Sequence, residues 1–308
     1  MKIIKATEAI PIERPVFLIY GQPGIGKTTL GYSAPRPLLL DFDAGAHRAA
    51  NRGDTLAVTA WADITDLMAS DVLAAYDTLV LDTVGRCLDL LTVDILDSQP
   101  KLGRDGNLTQ QGWGVLKTRF RTWLAQLRTL GKHVLLLAHE REDKDGDLRI
   151  ARPDIVGGSY GEVLKIADFV GYLYLSGRQR LLDFNPTDRW VGKNPAAWRP
   201  VALPPAEKAR DLVTALLAEA RDALGRASAA HVDAQRQVEA FRAAIEACTT
   251  AEACTAALAD IQQAPPAVAA QLKKLLWARA KALGLRYQGK RFVAPEPAPA
   301  LTAADIPF

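Results

Sequence analysis

The sequence predicts an α/β fold: a mostly parallel sheet flanked by helices, then a small helical module and a disordered tail. Three observations predict it. Short Val/Ile/Leu runs alternate with longer amphipathic stretches up to about residue 205. A glycine-rich phosphate-binding loop lies between the first of those runs and a helical stretch. Beyond residue 205 alanine takes over, with 31 Ala among residues 206–308, and strand-like runs vanish. The expected organisation is a core over residues 1–205, a basic helical module over 206–293 and a flexible tail over 294–308.

The strands expected in the core are 16–20, 38–42, 78–81, 133–138, 169–175, 181–184 and 189–191. Most are short runs rich in branched or aromatic apolar residues, as strands covered on both faces require. Pro200-Val-Ala-Leu-Pro-Pro205 forms a stiff connector. Helices follow at about 206–226, 229–247, 250–262 and 266–283. Thr249 and Glu252 have capping-box spacing, Pro265-Pro266 opens the last helix and Gly284 closes it. From Ala294 onward the chain is Pro/Ala-rich, the composition of a tail without a core.

At 308 residues, 49% hydrophobic and 24% charged, the chain has material for a sizeable core, which excludes wholesale disorder. Thirty-eight Lys+Arg against 35 Asp+Glu give a net charge of +3, too even to mark a nucleic-acid binder, so such a function must rest on local patches. Cys87, Cys248 and Cys254 are odd in number and form no CxxC, which argues against a disulfide framework or zinc site and fits a reducing cytoplasm. The first residues lack a signal-peptide stretch, and no uncharged run reaches the roughly 18 residues of a membrane span. His47, His133 and His231 read as structural or surface residues, and nothing resembles a Ser-His-Asp triad or metal cage.

Gly21, Gln22, Pro23, Gly24, Ile25, Gly26, Lys27 and Thr28 match GxxxxGK[ST] in full, with Thr29 following. Glycines let backbone N–H groups converge on phosphate oxygens. Lys27 supplies a point charge to β- and γ-phosphates, and the Thr28 hydroxyl is a magnesium ligand, so the cofactors are ATP and Mg2+. Leu79-Val-Leu-Asp82 supplies a second magnesium carboxylate at the end of a later strand. Thr83, not Glu, follows Asp82, which disfavours AAA+ and DExD helicase layouts and sends the search for a catalytic base elsewhere. Asp41 and Asp43 end the strand-like run LLLDFD, and one of them can reach an attacking water.

These residues resemble the RecA-type ATPase core over roughly residues 14–200. LLLDFDAGA resembles its stretch carrying the catalytic carboxylate, which implies that role for Asp43, with Asp where the family usually has Glu. LVLDTVGRCLDL resembles its Walker B strand and helix. HVLLLAHERE resembles the next core strand, which implies a γ-phosphate sensor at His139. Within the superfamily, QPGIGKTTL, LTQQGWGVL and the Ala-His-Glu strand end are similar to phage-encoded single-strand annealing recombinases. That likeness implies the cytoplasm of a bacterial host cell as the location. Members often present a Lys-x-Arg pair to the neighbouring subunit's nucleotide. Here Gly192-Lys193-Asn194-Pro195 keeps Lys193 and lacks the Arg, with Arg189 and Arg199 as possible substitutes. The resemblance therefore implies a homo-oligomer, ring or filament, and weak hydrolysis.

Two long loops stand where that family places single-stranded DNA. One is 98–114, with Lys101 and Arg104; the other is 141–161, with Arg141, Lys144, Arg149 and Arg152. The second also holds Glu142, Asp143, Asp145 and Asp147, so a plain surface hairpin around Asp145-Gly146 is the alternative there. Residues 261–295 contain no acid and seven bases. At about 100° per residue, Lys273, Lys274, Trp277 and Lys281 share one helix arc, and Leu272, Leu275, Leu276 and Leu283 another. Cations interleaved with aromatics suit single-stranded DNA; the alternative is a solvated face with Trp277 packed on a neighbour. The last residues, Asp305, Ile306, Pro307 and Phe308, resemble the tip of bacterial single-stranded-DNA-binding proteins, implying a contact with proteins that recognise such tails.

The expected function is an ATP-dependent phage recombinase that binds single-stranded DNA and pairs complementary strands. The rivals are a P-loop motor or loader in phage replication, and a DNA-binding protein using ATP as a structural ligand.

Overall fold

The computed structural model describes residues 3–5, 8–10, 12–146, 148–205, 208–264 and 266–294. The tip Ile306, Pro307 and Phe308 lies outside the described residues. The chain divides into two compact units, residues 12–225 and residues 1–11 with 226–308.

In residues 12–225 the elements run β1 (Val16–Gly21), α1 (Lys27–Gly31), β2 (Pro37–Asp41), β3 (Thr55–Ala57), α2 (Trp61–Ala69), β4 (Thr78–Asp82) and α3 (Val84–Ser98). A small pair, β5 (Gly103–Arg104) and β6 (Asn107–Leu108), precedes α4 (Gln110–Thr129). Then come β7 (His133–Asp145), β8 (Leu148–Pro153), α5 (Ser159–Ile166), β9 (Phe169–Ser176), β10 (Gln179–Asp183) and β11 (Val201–Ala202). The sheet order is β11-β10-β9-β1-β7-β4-β2-β3, with β8 pairing the extension of β7. From β9 to β3 every pair is parallel, and only β10, β11 and β8 run antiparallel to their partners. The mostly parallel α/β core is as expected.

Alternation along β1 assigns the two faces. Val16, Leu18 and Tyr20 pack with Trp61 and Ile64 of α2, Leu88 and Leu91 of α3, Phe120 of α4 and Val163 of α5. Phe17 and Ile19 pack on the other face with Leu30 of α1 and with Val213, Leu216 and Leu217. Those last three open α6 (Leu212–Ala247), one continuous helix where a break near residue 228 was expected. Nothing in the Ala-rich stretch around Ser228 stops a helix, and its first turns belong to the core. The compact units accordingly divide at residues 225/226 and not at 205.

Other expectations shift. Residues 189–191 form no strand; Trp190 makes only an isolated bridge to Ala151. In the second unit α7 (Ala251–Gln262) is capped by Thr250, whose hydroxyl accepts from Ala253 N, one residue after the expected Thr249. After α8 (Pro266–Ala282) strands return as β12 (Arg286–Gln288) and β13 (Arg291–Val293). Leu275 is 37% exposed and leaves the leucine stripe that Leu272 and Leu276 keep buried. Among the described residues, no helix is long and apolar enough to cross a membrane.

Candidate functional site

β1 delivers the chain to its loop at the C-terminal end of the sheet. Gly24 and Gly26 adopt φ of 77° and 107°, the left-handed region that glycine enters freely, and α1 begins at Lys27. The Lys27 side chain folds under the loop. Its Nζ donates to the carbonyls of Gly21 and Gln22, both at 2.8 Å, and lies 3.4 Å from His139 Nδ1. Burial pushes its pKa down to about 8, with the nearby carboxylates of Asp82, Glu140 and Asp43 opposing.

Next along α1, the Thr28 hydroxyl donates to Asp82 Oδ2 at 2.6 Å. Asp82 ends β4 and is 3% exposed. Its pKa is pushed up to about 6 by burial, against the Thr28 hydrogen bond. The Asp82–Thr83 peptide is cis. Between β1 and β4 runs β7, which places His139 level with Gly21.

The two acids after β2 separate cleanly. Asp41 accepts from the backbone N–H of Gly45 and Ala46 at 3.0 and 2.9 Å, and so holds the turn. Asp43 faces the site: its Oδ2 is 3.7 Å from His139 Nε2, and that contact, above all, keeps its carboxyl below the usual carboxylate range. A Cβ on Gly45 would lie 2.6 Å from both Asp43 Oδ1 and Arg48 Nη2, so those side-chain ends would have to shift. A cleft of about 550 Å3 opens beside these groups, lined by Asp43, His139, Arg48 and Arg86.

The structure thus brings Lys27, Thr28, Asp82, Asp43 and His139 together at the strand ends. Thr29 turns elsewhere, its hydroxyl accepting weakly from Ala50 N at 3.4 Å. Lys193 is not brought to its own chain's loop. Its backbone pairs with Val170, level with Leu18 and three residues before Gly21, and its Nζ donates to Ala167 O at 2.6 Å.

Sequence reasoning missed two residues. Arg180, on β10, reaches back over the loop: Nη1 is 3.4 Å from Ile25 O and 2.7 Å from where a Gly26 Cβ would sit. Only the antiparallel return of β10 beside β9 brings it there, which no local motif signals. Glu140, next to His139, has a buried Oε2 without a hydrogen-bond partner and acts on Lys27. Its signal was the acid directly after the expected sensor.

Among the expected DNA residues, Arg149 lines a cleft with Gln22 of the phosphate loop. Arg141, Lys144, Arg149 and Arg152 sit on the β7–β8 hairpin, which the expected long loop forms. Arg141 and Arg152 both pair with Asp143, and Arg149 with Glu142, each at 3.3 Å, which leaves its charge largely compensated; Lys144 is exposed. The 98–114 loop is largely the β5–β6 pair and the start of α4, where Thr109 caps the helix through Gly112 N. Lys273, Lys274, Lys281 and Trp277 are exposed on α8 in the second unit, with Trp277 packed on Tyr287 and Phe292.

A family model described as an AAA domain matches residues 13–196. No curated protein matches the chain. Thr83 after Asp82 thus does not exclude an AAA domain, contrary to expectation: Asp43, two residues beyond β2, brings an acid to the cleft without standing next to Asp82.

Proposed function

The chain belongs to the AAA domain family of P-loop ATPases, and on that premise we propose that it binds ATP with magnesium, hydrolyses it and couples turnover to DNA. The observation carrying this reading is the 2.6 Å contact of Thr28 with Asp82 beside the Lys27–His139–Asp43 row. The donors fit the metal. Two oxygens from Thr28 and Asp82, with no cluster of three or more metal-binding side chains among the described residues, suit magnesium, which keeps water and phosphate oxygens as its other ligands.

Bound magnesium supplies neutralisation of charge on the transferring phosphate. The protein's own residues do the rest. Lys27 gives its ammonium to the β/γ-phosphates, for which its two loop carbonyls are exchangeable partners. Asp43, held anionic, orients the attacking water and accepts its proton. His139 fixes Asp43 from one ring nitrogen and contacts Lys27 from the other, so it reports phosphate occupancy to the base.

The finer reading is a recombinase of the phage annealing type that binds single-stranded DNA and pairs complementary strands as a ring or filament of identical subunits. QPGIGKTTL, LTQQGWGVL and Ala138-His139-Glu140 support it by resemblance. Lys193, away from its own loop, meets the requirement of a residue that serves a neighbour's nucleotide. The Ile306-Pro307-Phe308 tip adds a contact for proteins that recognise single-stranded-DNA-binding-protein tails; deleting Phe308 should end their capture and spare hydrolysis.

The test is phosphate release with and without single-stranded DNA, followed by annealing of bare complementary strands. The reading expects DNA to stimulate release and the protein to accelerate annealing. Stimulated release without annealing identifies a motor or loader, and nucleotide binding without release a structural ligand.

A further inference from the structure

Residues 251–293 fold as helix, short turn, helix and hairpin. α7 ends at Gln262 and α8 begins at Pro266, a three-residue turn of the length that joins helix-turn-helix pairs. Ala257, Leu258 and Ile261 of α7 pack with Leu272 and Leu276 of α8 and with Phe292 of β13. Phe292 N donates to Thr255 Oγ1 at 2.9 Å and ties the hairpin to α7. Gly289 and Lys290 both have positive φ, 57° and 66°, the turn that matches hairpin twist.

This fold concentrates charge. Lys273, Lys274 and Lys281 on α8, with Arg286, Lys290 and Arg291 on the hairpin, are all exposed. No acid occurs between residues 261 and 295 to compensate them. Arg279 differs, its Nε donating to Cys248 O at 2.9 Å as a structural tie. The three lysines share a flank of α8 with Trp277, and Trp277 meets Tyr287 and Phe292 at centroid distances of 5.2 and 5.1 Å. Tyr287 and Phe292 close the triangle at 5.3 Å. The ring cluster ties the hairpin to this flank of the helix, while Arg286 and Arg291 alternate with the rings and stand on the hairpin's other face.

We propose that this helix and hairpin bind duplex DNA, with α8 in the major groove and the hairpin on the flanking phosphates. A single strand stacks its bases on aromatic faces that can move to meet them; here Trp277 and Tyr287, 43% and 47% exposed, are braced against each other and against the buried Phe292, with two of the three ring pairs edge-on. A helix about 10–12 Å across fits a groove about 12 Å wide, and cations at fixed spacing on a rigid frame match a regular phosphate backbone. The inference stands apart from the ATPase reading, because it uses no residue of the nucleotide site. It reassigns to duplex a surface that composition alone suggested for single strands.

Fluorescence anisotropy with the full chain, without nucleotide, compares a short duplex with one of its own strands over a range of salt. Two variants are used, Lys273→Gln/Lys274→Gln/Lys281→Gln and Arg286→Gln/Lys290→Gln/Arg291→Gln, each changing exposed side chains only. Wild type should bind duplex more tightly than the single strand. Each variant should weaken duplex binding about tenfold or more and lower the log–log salt slope by about 2–3. Loss in either variant, with duplex preferred by wild type, supports the proposal. Tighter binding to the single strand, or unchanged duplex affinity in both variants, overturns it.

Discussion

The Thr28 hydroxyl donates a 2.6 Å hydrogen bond to Asp82 Oδ2 across 54 residues of chain. It joins the first turn after the loop to the end of β4, and β7 separates the two strands involved. These are the two oxygens that the proposed function assigns to magnesium.

Thr28→Val removes one of them with little change in volume. A hydrogen bond to a charged group is worth about 1.5–3 kcal/mol, and a metal oxygen is lost with it. The magnesium needed for half-maximal turnover should rise at least about tenfold, read from phosphate release during a magnesium titration. An unchanged titration would remove Thr28 from that role.

Gly45→Ala tests the placement of Asp43. The new methyl lies 2.6 Å from Asp43 Oδ1 and from Arg48 Nη2, and the expected outcome is that the carboxylate shifts relative to His139. Turnover should fall about 10- to 100-fold, since misplacing a reacting group by about 1 Å costs that much. Nucleotide affinity should hold, because Gly45 lies outside the loop. Equal loss of binding and turnover would contradict the separation of roles.

Arg180→Ala takes a guanidinium from beside Ile25 and Gly26. Its partners are the carbonyls of Ile25 and Pro204, which release it more readily than a carboxylate would. ATP binding should weaken about five- to tenfold, with a smaller loss for a nucleoside without phosphates. Isothermal titration with both ligands decides it, and identical losses would make Arg180 structural only.

His133 sets a pH dependence of stability. It is 7% exposed, its Nε2 is 3.0 Å from Arg14 Nη1, and burial, aided by that charge, pushes its pKa down to about 4. An unfolded chain titrates near about 6.5. Between those values the unfolded chain takes up the proton and the folded one does not. The contribution is complete above about pH 6.5 and is lost as pH falls toward about 4. His133→Gln should flatten that part of the melting-temperature profile relative to wild type; parallel profiles would refute the assignment.

What could be read from sequence was local. The loop, Asp82 and the strand that precedes each are contiguous signals, and they appear where expected. Spacing alone did not separate Asp41 from Asp43; the resemblance pointed to Asp43, and the fold shows that Asp41 is the acid the Gly45–Ala46 turn consumes. Arg180 was invisible, since its approach depends on how an antiparallel strand returns beside β9. The β12–β13 hairpin was missed although Gly289 marks its turn and Arg286, Tyr287, Arg291 and Phe292 alternate as strand residues do. The acidic partners of the β7–β8 arginines were only half legible: Asp143 meets Arg141 two residues away on its own strand, and only the fold brings it to Arg152 on the facing one.

The most direct test of the central claim is steady-state phosphate release by Asp43→Asn beside wild type, with nucleotide affinity measured on both. The substitution keeps size and polarity and removes the group that accepts a proton. The account predicts equal ATP affinity and turnover reduced at least about 100-fold in the variant. Turnover equal to wild type would contradict it and return the base to another residue of the cleft.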